Sequence, residues 1–283
     1  MQIEEKYQAL CDALRDMRSV AVAFSAGVDS TFLLKAAQLV LRDRVCAITA
    51  RSCFIPRREQ REAEDFCRAG GIRLIVTDVD VLSVPGVREN PENRCYLCKK
   101  ELFSHIQRAA AAAGFHIVAE GSNADDLSDF RPGMAAIREL GIRSPLLEAG
   151  LTKSEIRALS RKLDLPTWEK PAMACLATRF PTGTPLTEHG LAQAEASEEC
   201  LRDLGFRQLR VRVHGDLARI ELGSEEVSAM LDPALRRSVD NSLRRLGFRY
   251  VCLDLAGYRM GSMNPAAHQT AQLDRSLPKR DLP

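Results

Sequence analysis

The sequence contains no G-x-x-x-x-G-K-[ST] loop, no second C-x-x-C, no H-x-x-x-H pair, no internal repeat and no apolar run approaching the ~20 residues of a membrane span. Each absence excludes something. Without a Walker lysine, a nucleotide is not held in the kinase or GTPase manner. Without a long apolar run no membrane-crossing helix is expected, and Met1 to Arg18 reads as an amphipathic, charge-laced helix rather than a signal peptide, which makes the cytoplasm the expected location. Formal charge is only +2, the isoelectric point is about 8.1, and no basic patch is interleaved with aromatics, so a nucleic-acid partner and a membrane surface are both disfavoured. No glutaminase domain precedes the first strand and loop, which argues against an amidotransferase-coupled synthetase.

Cysteine, in contrast, is plentiful. Nine thiols in 283 residues, with nothing directing the chain to an oxidising compartment, point to thiol chemistry rather than a disulfide framework. With 45% hydrophobic residues the chain can build two modest α/β domains, each with its own core.

The organising stretch is Phe24-Ser25-Ala26-Gly27-Val28-Asp29-Ser30. Before it, Ser19 to Phe24 suits a strand buried on both faces; after it, Thr31 to Leu41 has apolar residues at helical spacing. A strand, tight loop and helix in that order aim the helix's first N–H groups at one spot, where an anion satisfies them. Ser25 and Ser30 add hydroxyls. The bland alternative is an ordinary strand-to-helix turn with a serine cap.

Further along, Val45–Thr49, Ile72–Val76 and His116–Ala119 read as strands alternating with helices, which implies right-handed crossovers and a parallel, doubly wound α/β sheet. The fourth strand ends in Glu120-Gly121-Ser122-Asn123-Ala124-Asp125-Asp126, placed either to meet a nucleotide or its magnesium or merely to cap the next segment. Arg131-Pro132-Gly133 makes a turn, Ser144–Leu147 is expected to be a short last strand, and Thr152-Lys153-Ser154-Glu155 is a capping box opening a helix to Leu163. Leu165 to Pro185 fits no regular element and reads as a long, functional loop. The expected organisation is a nucleotide-binding domain over residues 1–184, a smaller α/β domain over 185–264, and a disordered tail over 265–283.

Cys95 and Cys98 stand three apart at a helix start, which puts both sulfurs on one face. Structural zinc lacks further ligands, and a redox dithiol lacks the expected setting after a first strand. A third thiol, Cys175, sits in the long loop; three thiolates on a 4Fe–4S cluster would leave one iron open to a small anion such as hydrosulfide. Incidental packing thiols remain an open alternative. Cys11, Cys46, Cys67, Cys200 and Cys252 read as small buried hydrophobes, and Cys53 is ambiguous.

Several of these stretches together resemble one family. Ser25 to Ser30 is similar to the S-G-G-x-D-S pyrophosphate (PP) loop of the adenine-nucleotide alpha-hydrolases, with Ala26 in place of the first glycine, so that position must be conformationally ordinary or the phosphate must sit slightly differently. Adding Cys95–Phe103, Gly121–Leu127, Asp129–Gly133, Lys170–Pro181 and Arg210–His214, the chain from about Ser19 to Asn264 resembles the LarE family, ATP-dependent sulfur transferases that help build a nickel-pincer nucleotide cofactor. The resemblance implies a PP-loop fold, ATP and Mg2+, and a pyridinium-3,5-biscarboxylate mononucleotide whose carboxylates are adenylated and then converted to thiocarboxylates. It assigns Ser25, Gly27, Asp29 and Ser30 to the nucleotide, with Ser122, Asn123 and Asp126 beside them. Cys95, Cys98 and Cys175 become cluster ligands; Cys175 and Arg179 are the catalytic pair, Arg179 to hold a phosphate or the adenylated carboxylate. Arg210 and Arg212 alternate onto one strand face as a grip for the substrate's phosphate, and Glu221 is a candidate magnesium ligand. A sulfur donor and assembly into homo-oligomers are implied as partners. The rival readings are a transfer-RNA thiolation enzyme of the same superfamily, which would need an RNA groove, and a non-catalytic nucleotide or cluster sensor, which would release no pyrophosphate.

Overall fold

A computed structural model describes residues 2–127, 133–259 and 263. The tail expected over 265–283 and the Arg131-Pro132 part of the expected turn lie outside the described residues. The chain divides into two compact units, one of residues 1–177 with 185–195 and the other of 178–184 with 196–283.

The first unit is built on a parallel sheet in the order β3-β2-β1-β4, from β1 (Val20–Ala23), β2 (Val45–Arg51), β3 (Leu74–Asp78) and β4 (Val118–Ala119). Parallel neighbours require crossovers, and α2 (Val28–Leu41), α3 (Arg57–Gly70) and α4 (Arg94–Ala112) supply them, after a first helix α1 (Ile3–Met17). β1 and β2 are buried almost throughout because helices cover both faces of such a sheet, which is why they read as unbroken apolar runs. Leu10, Leu14, Val20, Val22, Phe32, Leu33 and Ile156 are part of one core cluster. Strand order reverses between β1 and β4, so the loop after β1 lies at the topological switch point, where ligands of open α/β sheets bind.

Past β4, the unit adds α5 (Gly133–Glu139), α6 (Pro145–Glu148), α7 (Lys153–Lys162) and the start of α8 (Glu188–Asp203). The strand expected at Ser144–Leu147 is a short helix instead. Extended pairing ends at Arg143, which bridges to Ala119. Pro145 then sits in the first helical turn, where its missing N–H costs nothing, and Glu148 accepts from the Ser144 N–H. The capping box at Thr152 forms as expected, with Thr152 Oγ1 accepting from the Glu155 N–H and the Glu155 carboxylate accepting from the Thr152 N–H.

The second unit is a three-stranded sheet, with β5 (Leu209–His214) antiparallel to β6 (Leu217–Leu222) and β7 (Tyr250–Leu253) parallel to β6, together with α9 (Pro233–Arg245). Leu209, Val211, Val213, Ala218, Ile220 and Leu222 form its buried apolar face. Cys252, expected to be buried, is exposed: it pairs with Arg219, on the face of the sheet opposite Val211, Ala218 and Ile220. Among the described residues no helix is long and apolar enough to cross a membrane.

Candidate functional site

The phosphate loop is closed by its own hydroxyls. Ser25 Oγ and Ser30 Oγ lie 3.1 Å apart, the Ser25 N–H donates to Ser30 Oγ at 3.3 Å, and Gly27 caps α2. Ala26 departs from the expectation of an ordinary backbone, for its φ is +54° and its side chain is buried. It occupies the left-handed conformation that a glycine would adopt without strain. The carboxyl end of β4 closes on the same loop. Asn123 Nδ2 is 3.4 Å from Asp29 Oδ1, Asn123 accepts at Oδ1 from the Asp125 N–H, and Asp126 accepts from the Asn123 N–H at 3.0 Å. Ser122 faces elsewhere, its hydroxyl donating to Glu120 at 2.8 Å.

Two lysines missed in the sequence reach this loop from distant segments. Lys153, in the first turn of α7, forms an ion pair with Asp29. Lys170 donates to the Ala26 carbonyl at 2.8 Å and to Glu62 at 2.5 Å. Burial pushes the Glu62 carboxyl up, but Lys170 and Arg58 outweigh it and hold it below the ordinary value. Arg157 of α7 accepts responsibility for the loop's course, donating to the Trp168 and Lys170 carbonyls. The lysine absent from the motif is thus supplied in space, and one signal was legible: Lys153 stands at a helix start, where the dipole disfavours a cation.

The three thiols share a single arginine. Arg94 is 8% exposed and donates to Cys175 Sγ at 3.2 Å. Burial pulls its pKa down, but the charges of Cys175, Cys95 and Cys98 outweigh burial and hold it above the ordinary value. Burial pushes the Cys98 thiol up to about 12, with Cys175 adding to the rise and Arg94 opposing it; Cys95 is raised by burial and opposed by Arg94. The turn after β2 joins the same neighbourhood, since the Phe54 carbonyl accepts from the Leu176 N–H at 2.8 Å and the Phe54 ring lies 5.9 Å from the Arg94 guanidinium. Cys53 is close enough to Cys98 to raise it, and is itself pushed up to about 11, first by burial. Thiols from two segments, Cys95 and Cys98 of α4 and Cys175 of the loop after Leu165, thus lie around one cation. Among the described residues no group of three or more His, Cys, Asp or Glu side chains is arranged to hold a single metal ion.

In the second unit the predicted arginines are brought together on the polar face of the β5–β6 sheet. Arg210 is buried, stacks 5.0 Å from the Tyr258 ring, and has its pKa pulled down by burial and then by Arg179. Arg212 donates to Glu221 Oε2 at 2.9 and 2.7 Å and to the Thr178 carbonyl at 2.9 Å. Two expectations meet a different placement. Arg179, expected to hold a phosphate or the adenylated carboxylate, is fully buried, and its guanidinium pairs with both oxygens of Glu198 at 2.8 and 2.9 Å. Glu221, expected near magnesium, has its oxygens engaged by Arg212 and Arg219. Sequence periodicity places Arg210 and Arg212 on one face, but the carboxylates that order these cations come from other strands and helices.

No family model matches the chain. It is 41% identical over 260 residues, 92% of its length and 94% of the relative's, to the pyridinium-3,5-bisthiocarboxylic acid mononucleotide synthase of Lactiplantibacillus plantarum. It is 39% identical over 262 residues to an uncharacterized protein of Synechocystis sp., covering 93% of this chain and 98% of that one, and 28% identical over 242 residues to an uncharacterized protein of Methanocaldococcus jannaschii, covering 86% and 91%.

Proposed function

The chain belongs to the LarE family of pyridinium-3,5-bisthiocarboxylic acid mononucleotide synthases, and on that premise we propose that it uses ATP to activate the carboxylates of a pyridinium mononucleotide and replaces one oxygen of each with sulfur. The observation that carries this reading is the continuity of the first unit's polar contacts: Arg94 bonds Cys175, and Lys170, in the same loop as Cys175, bonds the phosphate loop at Ala26. The Cys175 sulfur and the Ser25–Ser30 loop are therefore tied into one framework, which supports a reading in which sulfur is delivered beside a bound nucleotide.

A carboxylate is a poor electrophile. Its oxygen attacks the α-phosphorus of ATP, pyrophosphate leaves onto the Ser25–Ser30 loop, and the acyl adenylate carries AMP as a good leaving group. Lys153 and Lys170 offset the charge that builds in this step, to which magnesium arriving with ATP would add. Asp29 and Asn123 order the loop's open side. A sulfur anion then attacks the acyl carbon, the carbon–oxygen bond to AMP breaks, and a thiocarboxylate remains. Cys95, Cys98 and Cys175 would hold a 4Fe–4S cluster, which would supply an iron without a protein ligand to present such an anion. In the second unit Arg210 and Arg212 are the grip on the substrate's phosphate, where an anion would relieve a buried guanidinium. Arg179 and Glu221 act as positioning residues there, Arg179 through Glu198 and Glu221 through Arg212.

The test is anaerobic incubation of the protein with ATP, Mg2+, sodium sulfide and the pyridinium-3,5-biscarboxylate mononucleotide, with AMP, pyrophosphate and thiocarboxylate measured. Equal yields of AMP and thiocarboxylate are expected, and Asp29→Asn should reduce both at least tenfold. Absence of pyrophosphate with this substrate overturns the proposal. A Cys175 lighter by the mass of hydrogen sulfide after turnover would replace the cluster route with sacrifice of that cysteine.

A further inference from the structure

The first unit holds a buried cation that the adenylation chemistry does not use. Arg94 opens α4, at the positive end of the helix dipole, where no acidic residue stands in the first turn to offset it. A buried guanidinium is costly unless charge and hydrogen bonds compensate it. Here sulfur supplies part of the compensation. One terminal nitrogen donates to Cys175 Sγ at 3.2 Å, and Nε donates to Asn90 Oδ1 at 2.9 Å. The plane lies near the Phe54 ring, and Asn90 is itself buried with φ +51°, a conformation asparagine tolerates better than most residues. Asn90 and Phe54 therefore fix the guanidinium independently of the thiols.

We propose that Arg94 is a positioning residue of the sulfur site, orienting Cys175 beside Cys95 and Cys98 and serving as counter-ion to the anionic sulfur centre that the three cysteines form. The proposal rests on the cluster reading above. Three thiolates on a 4Fe–4S core leave a net negative charge, and an incoming hydrosulfide increases it. In a site shielded from water a fixed cation offsets that charge more strongly than it would in solvent. Removing the cation makes it harder to add an electron or a second anion, so the reduction potential falls and sulfide binds more weakly.

Wild-type protein, Arg94→Gln, Arg94→Lys and Asn90→Gly are reconstituted anaerobically and compared by iron content, by midpoint potential from an EPR-monitored titration, and by titration with sodium sulfide. In Arg94→Gln the potential should move to lower values and sulfide affinity should fall at least tenfold. Arg94→Lys, which keeps the charge, should recover most of the potential, and Asn90→Gly should shift it less in the same direction as Arg94→Gln. An arginine needed only for packing would leave both readouts unchanged, and wild-type values in Arg94→Gln overturn the proposal while leaving the cluster reading intact. Wild-type protein that takes up no iron overturns both. Should Arg94→Gln bind no iron, Asn90→Gly carries the test, and wild-type values in that variant overturn the proposal.

Discussion

Ala26 holds φ +54° at the position where the related motif has glycine, and three effects of similar size decide what that costs. The left-handed conformation costs an L-residue about 1–2 kcal/mol. Glycine would remove that strain, but would lose about 0.5–1 kcal/mol to the greater freedom of the unfolded chain and about 0.8 kcal/mol of buried methyl group. Ala26 is 2% exposed and belongs to the core cluster, so the methyl term applies in full. The sum is close to zero, which explains why alanine is tolerated in the loop. Ala26→Gly should therefore change stability by less than about 1 kcal/mol in thermal denaturation; a loss of several kcal/mol would show that the methyl's packing dominates.

At the scale of elements, the phosphate site depends on how closely the end of β4 approaches the first turn of α2. A Cβ placed on Gly121 would lie 2.9 Å from the Ser30 backbone nitrogen and 3.2 Å from the Asp29 carbonyl carbon. Both are backbone atoms of the helix start, so neither can swing aside. Gly121→Ala should push the two segments apart at a cost of about 1–3 kcal/mol, and ATP affinity, measured by calorimetry, should fall at least tenfold. Unchanged affinity would mean that β4 and the loop shift independently. The same proximity explains Asn123, whose side chain reaches Asp29 only because Gly121 permits it. α7 plays the complementary part: its capping box fixes the first turn, and Lys153 in that turn meets Asp29.

For the molecule as a whole, each unit carries its own charged interior, and acid should strain the second through Glu198. Burial pushes the Glu198 carboxyl up, but Arg179, Arg210 and Arg202 outweigh it and hold it below the ordinary value of 4.5. The unfolded chain therefore takes up this proton first. The stabilisation is fully present above pH 4.5 and is lost as pH falls through the lower folded value. Methyl NMR signals of Val211 should report acid unfolding of the second unit in that window, and Glu198→Gln should flatten the dependence while lowering stability near neutral pH by about 3–5 kcal/mol, since Arg179 and Arg202 lose the buried negative charge that offsets them. An unaltered acid profile in that variant would assign the dependence to other groups. By itself, the sequence determined whatever is written in neighbouring residues: the strand, loop and helix around Asp29, the capping box at Thr152, the alternation along β5 and β6, and the three-cysteine pattern with its family likeness. Periodicity and capping are local physics, legible in a few residues. It misread Ser144–Leu147, where a proline and one carboxylate tip the balance from strand to helix, and it misread Cys252, whose exposure depends on its sharing the sheet face of Arg219. Only the tertiary structure decided which cation meets which partner: Lys153 meets Asp29, Lys170 meets Glu62 and the Ala26 carbonyl, Arg94 meets the Cys175 sulfur, and Arg179 meets Glu198. Charges act through space and are costly to bury alone, so their partners are chosen by where folding brings them, often from segments a hundred or so residues apart.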